Sequence, residues 1–488
     1  MVLETLINIM YYVNGIVWGL PAIIILLGTG LALTILLGAM QIRYFGTVVR
    51  NMMWKGRRGG GEVHPFKIWA TVMGATVGVG NVAGVSTAVA LGGPGALFWM
   101  FLTGLFGMAL KATEVTLSMK FRKVKADGTV VEGGTPYYIK QVPIVGGILA
   151  VLFALFAFIS AFGIGNMVQA NNVAYGAAYL AESYGLDVTI TKWLTGIILF
   201  IFVALVILGG IRRIAEAATY LIPFMVAWYI LAGIGLWIMF AGNFIDTIIL
   251  IIKGAFMPME VAKTTASMAG SPEAVAGGVL GWTTYEAIRY GVARGLFSNE
   301  AGLGSAPNAY AYGESDHPGR QGFYSMFEVF MDTLVICMIT GISVVITGAY
   351  TTGLTGAPLA FEAFSRGYGA LAPLLVGVAL MLFAFTTLLT WAWYGEVNWV
   401  YFWSKILKLP EKPVRLVWRV LWVIPIIPAA VLAKEYFEIF WAFSDTMNGL
   451  MAIPNLIAII VLAPVAIALL GNFAVRYKEL TYKESAKE

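Results

Sequence analysis

The chain has one cysteine, Cys337, two histidines, His64 and His317, and few charges, which make up 12% of its 488 residues. A single thiol rules out an intrachain disulfide and argues against a thiolate metal site, while leaving the compartment open. Both histidines fall in expected loops beside prolines and Cys337 lies in an apolar run, so no nucleophile has a base in sight and enzymatic readings fail on inventory. Soluble domains carry roughly 25% charged residues, far more than this chain does. The net charge of +5 does not point to nucleic acid, because Lys and Arg sit in short clusters between apolar runs rather than along one polar face.

Apolar sequence, by contrast, is abundant at 59% of the residues. Stretches of about 20 residues, each long enough to cross a hydrocarbon core of roughly 30 Å as a helix, recur from end to end. The expected architecture is an all-α membrane protein of about eleven spans, near 16–40, 66–91, 95–120, 144–180, 191–209, 216–241, 277–310, 323–348, 372–404, 414–433 and 447–471. The first is too long for a signal-peptide core and ends in a basic loop, so it is expected to be retained. Alternate loops are basic: Arg43, Arg50, Lys55, Arg57 and Arg58 follow span one, Lys120, Arg122, Lys123 and Lys125 span three, Arg212 and Arg213 span five, and Lys405, Lys408, Lys412 and Arg415 span nine. Lys and Arg accumulate on the cytoplasmic side of short loops, which places the N-terminus outside and the C-terminal tail in the cytoplasm.

Two spans are irregular. Thr71-Val-Met-Gly-Ala-Thr-Val-Gly-Val-Gly-Asn-Val-Ala-Gly-Val-Ser86 carries Gly74, Gly78, Gly80 and Gly84 inside one apolar run, and Gly277, Gly278, Gly281, Gly291, Gly295, Gly302 and Gly304 weaken the span five further on. Glycine-interrupted spans at matching places in two five-span halves point to an inverted-repeat transporter with its substrate at mid-membrane. Backbone freed by a broken helix has to be satisfied. Amides at a half-helix N-terminus suit a carboxylate, and carbonyls at a half-helix C-terminus suit Na⁺ or an ammonium group, so a zwitterionic amino acid would use both. The competing reading makes the same glycines small-residue packing faces between helices. Gly78-Val-Gly80-Asn-Val-Ala83 also imitates a dinucleotide fingerprint but lacks the strand and βαβ setting.

Polar residues inside spans are costly in hydrocarbon and are site candidates by default. They are Asn166, Gln169, Asn171 and Asn172; Glu328 and Asp332; Thr386, Thr387, Thr390 and Glu396; and Asp445, Asn448 and Asn455. Interhelical hydrogen bonding competes with ligand contact for each. Thr386-Thr387 stands out as two adjacent hard oxygens suited to a small cation. Lys111 and Glu114 are placed to pair across one helical turn, a structural role. Arg289, Arg294, Asn299 and Glu300 fit either an exit lining or an ion-pair network.

Long runs resemble the alanine or glycine:cation symporter family: Gly92-Gly-Pro-Gly-Ala-Leu-Phe-Trp-Met-Phe-Leu-Thr-Gly-Leu-Phe-Gly107 and Gly291-Val-Ala-Arg-Gly-Leu-Phe-Ser-Asn-Glu-Ala-Gly-Leu-Gly-Ser-Ala-Pro307. Gly163-Ile-Gly-Asn-Met-Val-Gln169, Asp316-His-Pro318, Phe327-Glu-Val-Phe-Met-Asp332, Phe385-Thr-Thr387 and Met451-Ala-Ile-Pro-Asn455 add to the likeness, which spans nearly the whole chain. Two departures are Phe101, where the family usually has tryptophan, and Thr390, where a glycine commonly precedes the tryptophan.

The resemblance implies a fold like that of the bacterial leucine transporter, a ten-helix core starting at span two, with one additional N-terminal helix. That division gives an extra helix and basic loop over 1–65, inverted repeats over 66–241 and 242–472, and a tail over 473–488. Val77-Gly78-Val79-Gly80-Asn81 would be the first broken helix. By similarity, Gly78 and the amides of Val79 and Gly80 would receive the substrate carboxylate, with Thr76, Gln169 and Trp391 around it. Carbonyls of Gly74, Val77 and Phe383 and hydroxyls of Thr386 and Thr387 would bind Na⁺, and Asn81 with Asp332 would serve a second cation. The implied activity is Na⁺-coupled symport of alanine and glycine in the cell membrane, in contact with lipid, with a monomer as the expected unit. Proton coupling through Asp332 or Glu328 is the alternative. A channel would show rings of pore-lining charge or an attached soluble domain, and neither is visible.

Overall fold

The computed structural model describes residues 2–46, 48–49, 59–257, 283–432 and 434–485. These residues are overwhelmingly helical. Helices α1 (Val2–Val17) and α2 (Leu20–Leu36) meet at Gly19 and form the first span, and α3 (Pro65–Thr76) and α4 (Val85–Gly92) lie on either side of a break. There follow α5 (Ala96–Phe121), α6 (Gly146–Ser160), α7 (Val168–Ser183), α8 (Val188–Ile207), α9 (Gly210–Met239) and α10 (Phe244–Phe256). The second half holds α11 (Thr284–Asn299), α12 (Pro318–Val329), α13 (Met338–Ile346), α14 (Gly356–Tyr368), α15 (Ala372–Val400), α16 (Glu411–Val423), α17 (Ile426–Val431) and α18 (Lys434–Ser485). One hairpin, β1 (Lys123–Val124) with β2 (Val130–Glu132), pairs antiparallel beyond α5.

Among the described residues nine helical stretches are long and apolar enough to cross a membrane, or ten when α3 and α4 are taken together. The count of eleven is therefore not reproduced. The missing span is the one expected over 277–310, of which α11 supplies only 16 residues, while Gly277, Gly278 and Gly281 lie outside the described residues. The outside of the bundle is apolar: α8 exposes Ile190, Leu194, Ile197, Ile201 and Leu205. A helix turning such a face outward is at home in lipid.

His64 and His317 are helix caps. Each stands directly before a proline at the first position of a helix, and each accepts a backbone N–H through Nδ1, from Phe66 at 3.3 Å and from Gly319 at 3.1 Å. Proline is tolerated there because its missing N–H would have had no intrahelical partner.

The site is framed by α3 packed on α9 and α15, and by α5 packed on α11 and α12. Backbone approaches backbone where α10 crosses the start of α5, and a Cβ on Gly95 would sit 2.1 Å from the Gly254 carbonyl. Gly95→Ala therefore forces two backbones apart, a cost of about 1–3 kcal/mol for overpacking. Gly147, on α6, has nothing within 4 Å of such a Cβ. Thermal unfolding of the detergent-solubilised chain should show a clear loss for Gly95→Ala and none for Gly147→Ala.

Candidate functional site

The first break lies between α3 and α4. Val77 leaves the helix with ψ 86, Val79 returns to helical angles, and Gly80–Gly84 form a wide π-helical turn that leads into α4. The two halves are bent by 47°. Asn81 caps the second half from within, its Oδ1 accepting the Gly78 amide at 2.8 Å. Helix α15 closes over the break. A Cβ on Gly74 would lie 3.2 Å from Thr386 Cβ, a tight fit, and one on Gly78 only 2.6 Å from Thr387 Oγ1, so a larger residue at 78 would have to displace Thr387. Thr387 Oγ1 lies 2.9 Å from Phe383 O and 3.2 Å from Ala75 O, while Thr386 Oγ1 is 3.1 Å from Leu382 O and from Phe383 O. A hydroxyl has one proton, so Thr387 cannot bond both the Phe383 and Ala75 carbonyls fully. Gly74, Phe383, Thr386 and Thr387 are thus gathered in one place, and Val77, next to Gly78, is where α3 ends. Thr387 reaches across to the carbonyl of Ala75, a residue absent from the expected set.

The second break follows α11. Glu300 adopts the left-handed conformation at φ 56, Gly302 and Gly304 have φ of 81 and 79, and a short helix resumes at Pro307–Tyr310. Left-handed backbone disfavours residues with a Cβ, so two of the three sites are glycine. The freed groups find protein partners. Asn455 Nδ2 donates to Gly302 O at 2.9 Å, the Gly304 amide donates to Glu114 Oε2 at 3.1 Å, and Lys111 Nζ donates to Asn299 O at 2.9 Å. Thr135 Oγ1 donates to Gly304 O. Lys111 does not take Glu114 as its close partner as expected: its ammonium lies 3.1 Å from Glu328 on α12, and Glu114 turns to Gly304 and Asn455.

Asp332 joins both breaks. It lies in a π-helical turn, Phe330–Cys337, between α12 and α13, and its carboxylate accepts Asn81 Nδ2 at 2.7 Å from the first broken helix. From the second it accepts Ser298 Oγ at 2.9 and 3.0 Å, and from its neighbour Thr333 Oγ1 at 2.8 Å. The residue is wholly buried. Ser298 carried no signal of its own in the sequence beyond its place beside Asn299-Glu300.

Trp391 on α15 and Gln169 on α7 are both buried. Trp391 Nε1 donates to Glu300 Oε1 at 2.9 Å, so the second break holds the indole in place. A Cβ on Gly165 would lie 2.3 Å from Trp391 Cβ, and Tyr394 stacks edge-on to the indole at 5.5 Å. A further π-helical turn, Ala161–Met167, presents Asn166 and leads to Gln169, whose Nε2 donates to Ile164 O at 2.9 Å. Gln169 Oε1, Asn166 Oδ1 and the Tyr394 hydroxyl are buried with no hydrogen-bond partner among the described residues. Buried polar atoms of this kind call for a partner such as a ligand or water. The glycine of Gly163-Ile-Gly165 was the available clue to the contact with Trp391.

Other candidates hydrogen-bond or pair within the protein. The Thr76 hydroxyl turns back 3.3 Å from Val72 O and Met73 O on its own helix. Asn171 Nδ2 donates to Ala429 O at 2.9 Å and Asn172 Nδ2 to Val168 O at 2.8 Å. Glu396 belongs to an ion-pair network with Arg415 and Arg419, each at 2.7 Å. That network borders a cavity of about 380 Å³ lined by Glu62, Val130, Arg212, Lys405, Arg415 and Arg419 among others. The loops after spans one, three, five and nine thus converge at one end of the bundle, as their shared basic character requires.

The model of the Sodium:alanine symporter family matches residues 3–487. A protein named Sodium/alanine symporter AgcS from Methanococcus maripaludis is 40% identical over 93% of this chain and 94% of its own. The Putative sodium/proton-dependent alanine carrier protein YrbD of Bacillus subtilis is 33% identical, covering 96% and 92%. The crystal structure of MhsT in complex with L-phenylalanine superposes with a TM-score of 0.50 over 85% of this chain and 99% of that one, at 14% identity. The last likeness speaks to fold and gives the leucine-transporter-like architecture. With its family model matched over almost the full length, the chain belongs to the sodium:alanine symporter family.

Proposed function

We propose that the chain is a secondary symporter that carries alanine and glycine across the cell membrane with Na⁺ by alternating access around the two breaks. The observation that carries this reading is the approach of Thr386 and Thr387 of α15, whose hydroxyls also meet the Phe383 carbonyl, to Gly74 and Ala75 in the last turn of α3 and to Gly78 at the break. Hydroxyl and carbonyl oxygens suit a hard cation, and the amides that open the next half-helix suit a carboxylate. Na⁺ is held by carbonyls of Gly74, Val77 and Phe383 with hydroxyls of Thr386 and Thr387. The substrate carboxylate lies on Gly78 and the amides of Val79 and Gly80, with Thr76 alongside. Gln169 and Trp391 bound a pocket that favours small side chains. Asn81 and Asp332, with Ser298 added, serve a second cation. The N-terminus lies outside and the tail in the cytoplasm, in line with the basic loops gathered at one end. One chain supplies every group in this scheme, in line with a monomeric carrier.

Na⁺ binding at the first break orders the backbone that receives the carboxylate, so each ligand raises the affinity for the other. A second reading, proton coupling, is favoured by one observation: among the described residues the buried Asp332 carboxylate is bonded only by the neutral side chains of Asn81, Ser298 and Thr333. The name of YrbD mentions both ions.

Proteoliposomes given an inward Na⁺ gradient at equal pH on both sides should accumulate labelled alanine. Uptake indifferent to Na⁺ that follows an imposed pH gradient would select the proton reading instead. Thr387→Ala removes one oxygen from the cation site and should raise the Na⁺ concentration for half-maximal uptake about tenfold, as expected for about 1.4 kcal/mol of lost binding. Alanine affinity at saturating Na⁺ should change little, and a Na⁺ dependence like that of the parent chain would sink the assignment.

A further inference from the structure

The two breaks are satisfied in different ways. Among the described residues no Lys or Arg side chain donates to residues 74–81, where hydroxyls, an amide side chain and carbonyls meet. At the second break a cation is already present. Lys111 rises from α5, fully buried, and its Nζ reaches the carbonyl of Asn299, the last residue of α11, at 2.9 Å. The carbonyl end of a helix carries partial negative charge, and in a dry interior a cation there is strongly favoured. The same ammonium lies 3.1 Å from Glu328 on α12 and within electrostatic reach of Glu300, on the unwound segment, and Glu114, one turn along α5. Tyr310 from the short helix beyond the break donates to the other Glu328 oxygen at 2.8 Å. One ammonium thus faces a helix terminus and three carboxyl groups drawn from α5, the break and α12.

We propose that Lys111 is a tethered cation that occupies the carbonyl end of the second broken helix, where a diffusible ion would otherwise be needed, and so holds the backbone of Glu300 and its neighbours in position. This is a positioning role. Through Asn299 it fixes the start of the break, where Glu300 grips the Trp391 indole, so a charge on α5 sets the wall of the substrate pocket. A plain ion pair with Glu328 would also bury Lys111, but it would not require the ammonium to lie on the terminal carbonyl of α11 as well.

The test uses the purified full-length chain carrying Lys111→Ala. n-Propylammonium replaces the atoms removed, and n-propanol replaces their shape without the charge. Thermal unfolding without Na⁺ or alanine should show a destabilised variant whose unfolding temperature rises with n-propylammonium and not with n-propanol. Alanine uptake should be restored by the same ion. Equal effects of the two probes, or none from either, would overturn the proposal. This stability readout involves neither substrate nor Na⁺, so it fails separately from the symport reading. If Lys111→Ala does not fold, the double variant Lys111→Met with Glu328→Gln removes both charges of the pair at similar volume. The proposal expects it to fold and to lose most of its alanine uptake, because the α11 terminus is left without a cation. Uptake like that of the parent chain would show that Lys111 serves only to neutralise Glu328, and would refute it.

Discussion

Backbone that leaves a helix at membrane depth has to be answered group by group, and here the answer converges on one carboxylate. Asp332 takes a hydrogen bond from Asn81 on the first broken helix and from Ser298 on the second, so the two interruptions cannot shift relative to each other without disturbing it. Asn81 spends its remaining oxygen on the Gly78 amide. The shape of the first break and the position of the second are therefore settled by the same short set of bonds, and the aligned oxygens of α15 follow from the first.

The interior between the breaks is unusually polar for a membrane protein. Lys111, Glu114, Glu300, Glu328 and Asp332 are all buried, and an ion moved into low dielectric without compensation costs several kcal/mol. Lys111 meets Glu328, while Glu114, Glu300 and Asp332 accept two or more donors each. Networks of this kind are expensive to leave half satisfied, which ties side-chain positions in α5, α11, α12 and α15 to one another. The Gln169 and Asn166 side-chain oxygens are buried with no hydrogen-bond partner among the described residues.

Much of this was legible in the sequence. Glycine spacing over residues 74–84 located the first break, because glycine permits both unwinding and the close approach of α15. The basic loops revealed which ends of the helices share a side. Three things were hidden. Ion-pair partners were misjudged at Lys111, since spacing along one helix favours Glu114 while the actual partner comes from α12, 217 residues later in the chain. Ser298 is one unremarkable hydroxyl until the fold aims it at Asp332. The wide turns at Gly80–Gly84, Ala161–Met167 and Phe330–Cys337 have no periodic signature, because each adds a residue without changing the apolar character of its run. Of the span expected over 277–310, α11 and the short helix Pro307–Tyr310 are what the described residues contain.

Those wide turns have a consequence for how such a chain changes over generations. A π-helical turn holds one residue more than regular helix, so everything beyond it is rotated by about 100° from where an uninterrupted helix would place it. Loss of a single codon within residues 161–167 would leave a well-formed apolar helix and an intact hydropathy profile. It would also swing Gln169 to another face of α7. In this architecture the reading frame of a helix face, more than its composition, is what inheritance has to preserve.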